Sequence, residues 1–219
     1  MRVCFGHQSV GADIMKALSI LSERRLEVIE TNDPEAFQRP VFAHFRVGHN
    51  RDPLSKCQDF ARVIESGVGY RVDAAFFKFC YVDITSNTDV DALFRNYQGA
   101  MASLSEKYPK VIFLHVTVPL TRVARGVVGW LREKTGHVNR EREDQARRRA
   151  FNRLLPGAYG CSGRLFDLAE AEATFPDGTP SFFLHHGDPV QTLASGYTHD
   201  GGHLTQRASA RAAEQLIFR

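Results

Sequence analysis

The sequence predicts an α/β protein: a three-layer α/β/α sandwich built on a five-stranded parallel sheet. Two observations support this prediction. Short apolar runs alternate along the chain with longer amphipathic stretches, an order typical of parallel sheets covered by helices. The runs at 74–84 and 110–118 are almost entirely apolar, as expected for central strands buried on both faces. The predicted strands are Arg2–Phe5, Leu26–Glu30, Ala74–Ile84, Lys110–Val118 and Leu165–Ala169.

Helices are predicted to follow these strands. Val10, Ile14 and Leu18 recur at helical spacing directly after the first strand, so the first helix begins close to Ser9. The later helices are predicted over Leu54–Ile64, Asp89–Tyr108, Arg140–Leu155 and Leu204–Phe218.

Three long segments with many turn residues are predicted to be loops at the carboxyl edge of the sheet, where they line a pocket. They are Thr31–Asp52, Pro119–Asn139 and Thr174–Tyr197. Trp130 and Phe182 lie in these loops, and each either forms part of a substrate pocket or closes the core beneath the loop. The sequence favours neither interpretation.

Composition indicates a single globular domain spanning residues 1–219, with 43% hydrophobic and 24% charged residues. A net charge of +3 is too small to predict a nucleic-acid partner. No apolar run approaches the roughly 20 residues of a membrane span. The absence of a signal-peptide pattern predicts a cytoplasmic location. The four cysteines are far apart in the sequence, which favours free thiols over disulfides or a zinc site.

The segment Thr198–Leu204 carries the strongest chemical signal. Asp200 and His203 are separated by two glycines, which permit a tight turn. Such a turn can hold a carboxylate beside an imidazole, as an orienting acid and a general base for a nucleophile from elsewhere in the chain. The competing interpretation is a turn in which Asp200 caps the following helix and His203 is solvated.

Ser9 is the candidate nucleophile because it lies where the first strand passes into the first helix. Ligands of open α/β sheets bind at the carboxyl ends of strands. The helix start adds free N–H groups and the positive end of the helix dipole. The competing interpretation is that Ser9 only caps the helix.

Two blocks of sequence, Gly6–Gly11 and Asp200–His203, resemble the motifs of the SGNH (GDSL-type) hydrolase superfamily. The resemblance implies a flavodoxin-like SGNH hydrolase fold. It also implies an acyl-enzyme mechanism with Ser9, His203 and Asp200 as the triad, no metal ion and no organic cofactor. The implied substrate is a small-molecule or carbohydrate ester, such as an acetylated sugar, and lipid or thioester substrates remain open. An α/β-hydrolase would need G-x-S-x-G, whereas His7 stands before Ser9 where that motif has glycine.

The chain departs from the family motifs in two places. His7 and Gln8 replace the G-D before the serine. Cys80–Asp83 stands where the family has G-x-N-D, so Val82 replaces the asparagine of the oxyanion hole.

Other donors are therefore expected in the oxyanion hole. Gly48 matches the glycine of the family's second block, and its N–H is expected to act with that of Ser9. Asn50 is the predicted replacement for the missing amide. Asn87 is the alternative, although a helix-capping role explains it better.

Alternatives to a hydrolase remain open at this stage. An acyltransferase would use the same triad, and a non-catalytic binding domain would explain the loss of G-x-N-D. A metal centre is not predicted, because no histidine pair shows a recognised ligand spacing. The histidines considered for such a centre are His44, His49, His185, His186 and His199.

Overall fold

A computed structural model describes residues 1–22, 26–123 and 137–217, with the backbone alone for 137–139. The central sheet comprises β1 (Arg2–His7), β2 (Val28–Glu30), β3 (Val41–Arg46), β4 (Ala74–Phe77) and β5 (Ile112–Phe113). All neighbouring strands are parallel, in the order β2-β3-β1-β4-β5. The predicted five-stranded parallel sheet is confirmed.

One strand of the five-stranded sheet is not among the predicted strands, and one predicted strand lies outside this sheet. β3 lies inside 31–52, so the prediction of an irregular segment there is wrong. Pro40 and Gly48 flank this strand and suggest turns, yet its apolar side chains are buried between β1 and β2. The predicted fifth strand is β7 (Leu165–Phe166), which pairs instead with β6 (His115–Val116). Only Leu114 separates β5 from β6.

Helices cover both faces of the sheet, which confirms the three-layer sandwich. The helices are α1 (Ser9–Leu21), α2 (Pro53–Glu65), α3 (Val90–Lys107), α4 (His137–Tyr159), α5 (Leu168–Ala173) and α6 (Gln206–Ile217). Phe5 and Phe76 pack with α1, α5 and α6 on one face. Phe77 packs on the other face against Phe60 of α2, together with α3 and α4.

Side chains at the helix starts explain where two of these helices begin. The Asp52 carboxylate accepts a hydrogen bond from the Ser55 N–H, and Pro53 fixes the first helical position of α2. The Asp89 carboxylate caps α3 through the Ala92 N–H. Asn87 is exposed and is not the capping residue.

The predicted loop over 174–197 also contains regular structure. An antiparallel hairpin forms from β8 (Phe182–His185) and β9 (Asp188–Gln191), so the prediction of a loop is wrong there. Among the described helices, none is both long enough and apolar enough to cross a bilayer.

Candidate active site

The turn between β1 and α1 places Ser9 at the first position of the helix. Gln8 is the N-cap residue, so the interpretation of Ser9 as the cap does not hold. The Gln8 side-chain amide donates to the carbonyls of Val47 (2.9 Å) and Gly48 (3.0 Å), which ties the turn to the loop after β3. In the part of the chain that the structure describes, the Ser9 hydroxyl has no hydrogen-bond partner.

Packing against His7 explains why glycine is needed at position 11. A Cβ atom on Gly11 would lie 2.3 Å from the Cβ of His7. Burial lowers the pKa of His7 to about 3, so its ring is neutral. His7 Nδ1 lies 2.8 Å from the Gln8 carbonyl, to which it donates. Its Nε2 therefore accepts from His44 Nδ1 at 3.0 Å. His7 therefore packs against Gly11 of α1, and Gln8 bonds to the loop after β3. These two residues, which replace the G-D of the family motif, fix the turn between β1 and α1.

The second half of the site is the turn of residues 200–203. The Asp200 Oδ1 accepts from the N–H groups of Gly202 and His203, both at 2.9 Å, and its Oδ2 lies 2.5 Å from His203 Nδ1. These hydrogen bonds, above all the one from Gly202, hold the pKa of Asp200 far below its usual range. Asp200 is therefore ionised and fixes the His203 ring, which leaves Nε2 free to accept a proton.

Gly201 and Gly202 are each favoured in this turn for a different physical reason. Gly201 has a φ of 99°, in the left-handed region that favours glycine. A Cβ atom on Gly202 would lie 2.7 Å from the ring of Tyr81. The Gly201 carbonyl also accepts from the Arg122 N–H at 2.8 Å, which ties the turn to the segment after β6.

The position of Asp13 indicates that the two halves of the site, the turn at Ser9 and the turn of residues 200–203, face each other. It lies one helical turn after Ser9, so both side chains are on the same face of α1. Burial raises the pKa of Asp13, while the nearby His203 and the backbone of Leu204 favour its charged form, and its buried Oδ2 has no hydrogen-bond partner among the described residues. The face of α1 that carries Ser9 is therefore turned towards His203. No hydrogen bond joins Ser9 to His203, although both are described residues; catalytic hydrogen bonds often tighten only when substrate binds.

The position of Asp13 beside His203 was not predicted from the sequence. The only signal was an acidic residue four positions after the candidate nucleophile, a spacing that places both on one face of the predicted helix.

The predicted oxyanion donors Gly48 and Asn50 lie in one loop but differ in their availability. The Gly48 N–H donates to the Asp59 carboxylate at 2.9 Å, so it would have to leave that partner to bind substrate. The Asn50 Oδ1 accepts from Lys56 Nζ at 3.1 Å. This bond occupies the carbonyl oxygen of Asn50, an exposed residue whose amide nitrogen has no hydrogen-bond acceptor among the described residues.

A buried ion pair places Asn50 beside the segment that departs from the family motif. Lys56 is completely buried and pairs with Asp83, which also accepts from the N–H groups of Arg51 (2.8 Å) and Cys80 (2.6 Å). The loop at 48–51 is thereby joined to the 3₁₀ turn Tyr81–Asp83, in which Val82 lies. Lys56 and Asp83 are separated by 27 positions, and no local sequence pattern predicts their pairing.

A cavity of about 810 Å³ opens beside Asp200. Two of the predicted pocket loops reach it, through Arg51 and through Thr121 and Arg122. Four arginines (Arg51, Arg122, Arg140 and Arg148) and three acids (Glu141, Asp144 and Asp200) line it, together with the ionisable residues His199 and Tyr81.

The third predicted pocket loop lines a different cavity. Phe182 is 43% exposed and borders a second cavity of about 590 Å³, which shares Arg122 with the first. Trp130 lies outside the described residues.

The arginines of the first cavity differ in their partners. Arg148 is buried and donates to the Tyr81 carbonyl, to Thr121 Oγ1 and to Gln145 Oε1. Its guanidinium is therefore fixed. Arg51, Arg122 and Arg140 are exposed, and none of the three forms an ion pair with another described residue. The cavity therefore presents three arginine side chains that form no ion pair within the described part of the chain.

Comparisons of structure identify proteins with the same fold. The structure superposes on a GDSL-like lipase from Bacteroides thetaiotaomicron with a TM-score of 0.57 at 12% identity, covering 98% of this chain and 84% of the other. A lipase/acylhydrolase from Enterococcus faecalis gives 0.53 at 13% identity, covering 99% and 94%. The periplasmic domain of a lipopolysaccharide acetyltransferase from Salmonella ser. Paratyphi A gives 0.50 at 10% identity, covering 99% and 82%.

No protein-family model matches the sequence, and no curated protein matches it either. At these identities the structural likeness establishes the α/β/α fold of GDSL-type lipases and acylhydrolases.

Proposed function

We propose that this chain is a member of the SGNH (GDSL-type) hydrolases and acts as a serine ester hydrolase, with Ser9 as nucleophile, His203 as general base and Asp200 as its orienting acid. The observation that carries the proposal is the Asp200–His203 hydrogen bond, in a turn that faces the start of α1. The fold shared with lipases and acylhydrolases supports it at the level of the enzyme class.

The proposed reaction has two halves. Ser9 Oγ gives its proton to His203 Nε2 and bonds to the ester carbonyl carbon, which forms a tetrahedral intermediate. The bond to the alcohol oxygen then breaks, and the alcohol leaves with the proton held by His203. Water, deprotonated by His203, attacks the acyl group on Ser9 and releases the acid. Asp200 stabilises the imidazolium that forms in each half.

Water is the favoured acyl acceptor because His203 is open to solvent, with 45% of its side chain exposed. An acyltransferase must exclude water and admit an acceptor hydroxyl. Short p-nitrophenyl esters and acetylated sugars, with and without added sugar acceptors, test this choice. Release of free acid supports hydrolysis, whereas acyl transfer to the acceptor supports the transferase. If no ester is turned over and a fluorophosphonate probe labels no serine, the fold serves binding alone.

The proposed oxyanion hole combines the Ser9 N–H with the side-chain amide of Asn50. We expect Asn50→Ala to lower kcat by about 10²-fold with little change in KM, since an oxyanion donor acts mainly in the transition state. Steady-state kinetics on p-nitrophenyl acetate measures this. Asn87→Ala is the matched control, because Asn87 is exposed and has no hydrogen-bond partner among the described residues. An unchanged kcat in Asn50→Ala would exclude Asn50 from the oxyanion hole.

The three cavity arginines that have no ion-pair partner among the described residues favour an ester that carries a negative charge, such as an acetylated acidic sugar. Arg122 is the best placed of these arginines to test charge recognition. Its backbone N–H donates to the Gly201 carbonyl, which is next to Asp200 in the chain. We expect Arg122→Gln to lower kcat/KM about tenfold for 4-carboxyphenyl acetate and to leave phenyl acetate almost unchanged. Arg95→Gln, an exposed arginine outside the cavity, is the control. Equal losses on both esters would argue against charge recognition.

A further inference from the structure

Two adjacent histidines converge at the tip of the β8–β9 hairpin. Neighbouring residues of a strand point to opposite faces, so His185 and His186 would normally diverge. His186, however, has a φ of 50°, a left-handed conformation that is uncommon for a residue with a side chain. The two rings consequently lie with their centroids 4.2 Å apart.

A carboxylate from helix α4 faces both rings. Glu143 Oε2 lies 3.5 Å from His185 Nε2, and Glu143 Oε1 lies 3.9 Å from His186 Nε2. One ligand atom from each of the three residues lies within 4.8 Å of the other two. Three potential metal ligands, two of them imidazoles, therefore surround one point between the hairpin and α4.

We propose that Glu143, His185 and His186 form a binding site for a zinc ion. Two imidazole nitrogens and one carboxylate oxygen are ligands that Zn²⁺ prefers, with bonds of about 2.0–2.2 Å. On a tetrahedron of that size the ligand atoms are about 3.4 Å apart. The carboxylate oxygens lie 3.5 and 3.9 Å from the two imidazole nitrogens, and the ligand atoms lie within 4.8 Å of one another, so rotation of the exposed Glu143 and His186 side chains would bring them to bonding distance. The fourth position faces solvent and would take water. The histidine pattern alone did not predict this site, because the ligands come from distant segments.

Bound zinc would join the hairpin to the helix that lines the cavity. Besides Glu143, α4 contacts the hairpin through Gln145, whose side-chain amide donates to the Gln191 carbonyl at 2.9 Å, and through Arg142, whose guanidinium lies 5.8 Å from the centre of the Phe183 ring. The same helix carries Asp144 and Arg148 in the cavity wall beside Asp200. The metal would thus act as a structural link next to the site and takes no part in the proposed ester hydrolysis.

The test is metal binding by the purified protein after dialysis against a chelator, at near-neutral pH where imidazole is largely neutral. We expect one zinc ion per chain by isothermal titration calorimetry, and a visible d–d spectrum when cobalt replaces zinc. Zinc at about a hundredfold its Kd should raise the thermal midpoint by about 5–10 °C, and added chelator should reverse the rise.

Single variants decide whether the three residues form the site. His185→Ala, His186→Ala and Glu143→Gln should each weaken zinc binding at least about tenfold and remove the cobalt spectrum. His49→Ala, an exposed histidine outside the cluster, should bind as the parent does. All three positions are at least partly exposed, and circular dichroism checks that the variants fold. The site would be overturned if the parent bound no zinc, or if the three variants bound zinc as tightly as the parent.

Discussion

Ser9→Ala is expected to lower kcat by about 10⁶-fold while the protein remains folded. The reason is that no other group can form the acyl intermediate, and the Ser9 hydroxyl makes no hydrogen bond to another described residue that its loss would disturb. Hydrolysis of p-nitrophenyl acetate measures the rate, and thermal denaturation measures stability. Ser19→Ala provides a matched control, because Ser19 is an exposed serine of the same helix.

Covalent labelling provides an independent test of the same assignment. A fluorophosphonate should add to the parent at Ser9 and should not add to Ser9→Ala, as mass spectrometry of the peptide 1–22 would show. An adduct on another serine, for example Ser195, would mean that the nucleophile has been misassigned.

Removal of the base should cost more than removal of its orienting acid. His203→Ala is expected to lower kcat by about 10⁶-fold, and Asp200→Asn by about 10⁴-fold. Asparagine keeps the oxygen that accepts from the N–H groups of Gly202 and His203, so the turn should persist. Its amide would, however, face His203 Nδ1 and favour the tautomer with Nε2 protonated, which cannot accept a proton from Ser9.

Kinetics on both variants, with circular dichroism as a check on folding, tests this order of effects. Full activity of His203→Ala would remove His203 from the mechanism. A loss in Asp200→Asn larger than that in His203→Ala would contradict the role of Asp200 as an orienting residue.

Features fixed by neighbouring residues were predictable from the sequence. The Asp200–His203 bond forms within a four-residue turn, and two glycines with a flanking acid and base suffice to suggest it. Helices α1, α2 and α3 were predicted closely, because their apolar spacing and start signals are local.

Features that depend on distant pairing were not predictable in the same way. β3 contains the polar residues His44 and Arg46, which obscure a buried strand. His44 is accommodated because His7, on the neighbouring strand, accepts its hydrogen bond. Asn50 could be named from the sequence, but the orientation of its amide depends on Lys56, whose position is fixed by Asp83 on another loop. The paired histidine rings at the hairpin tip depend on one unusual backbone angle.

The position of β1 in the middle of the sheet affects how the protein is made. β1 precedes both of its partners in the chain, since it pairs with β3 and β4. During synthesis its apolar residues stay uncovered until Phe77 has emerged from the ribosome, and α1 lacks its partner α6 for longer still. Such long-range pairing slows folding and prolongs exposure to aggregation, so β1 is the segment on which a chaperone would act first. In the proposed mechanism, Ser9 can meet its base only after the turn of residues 200–203 has been synthesised.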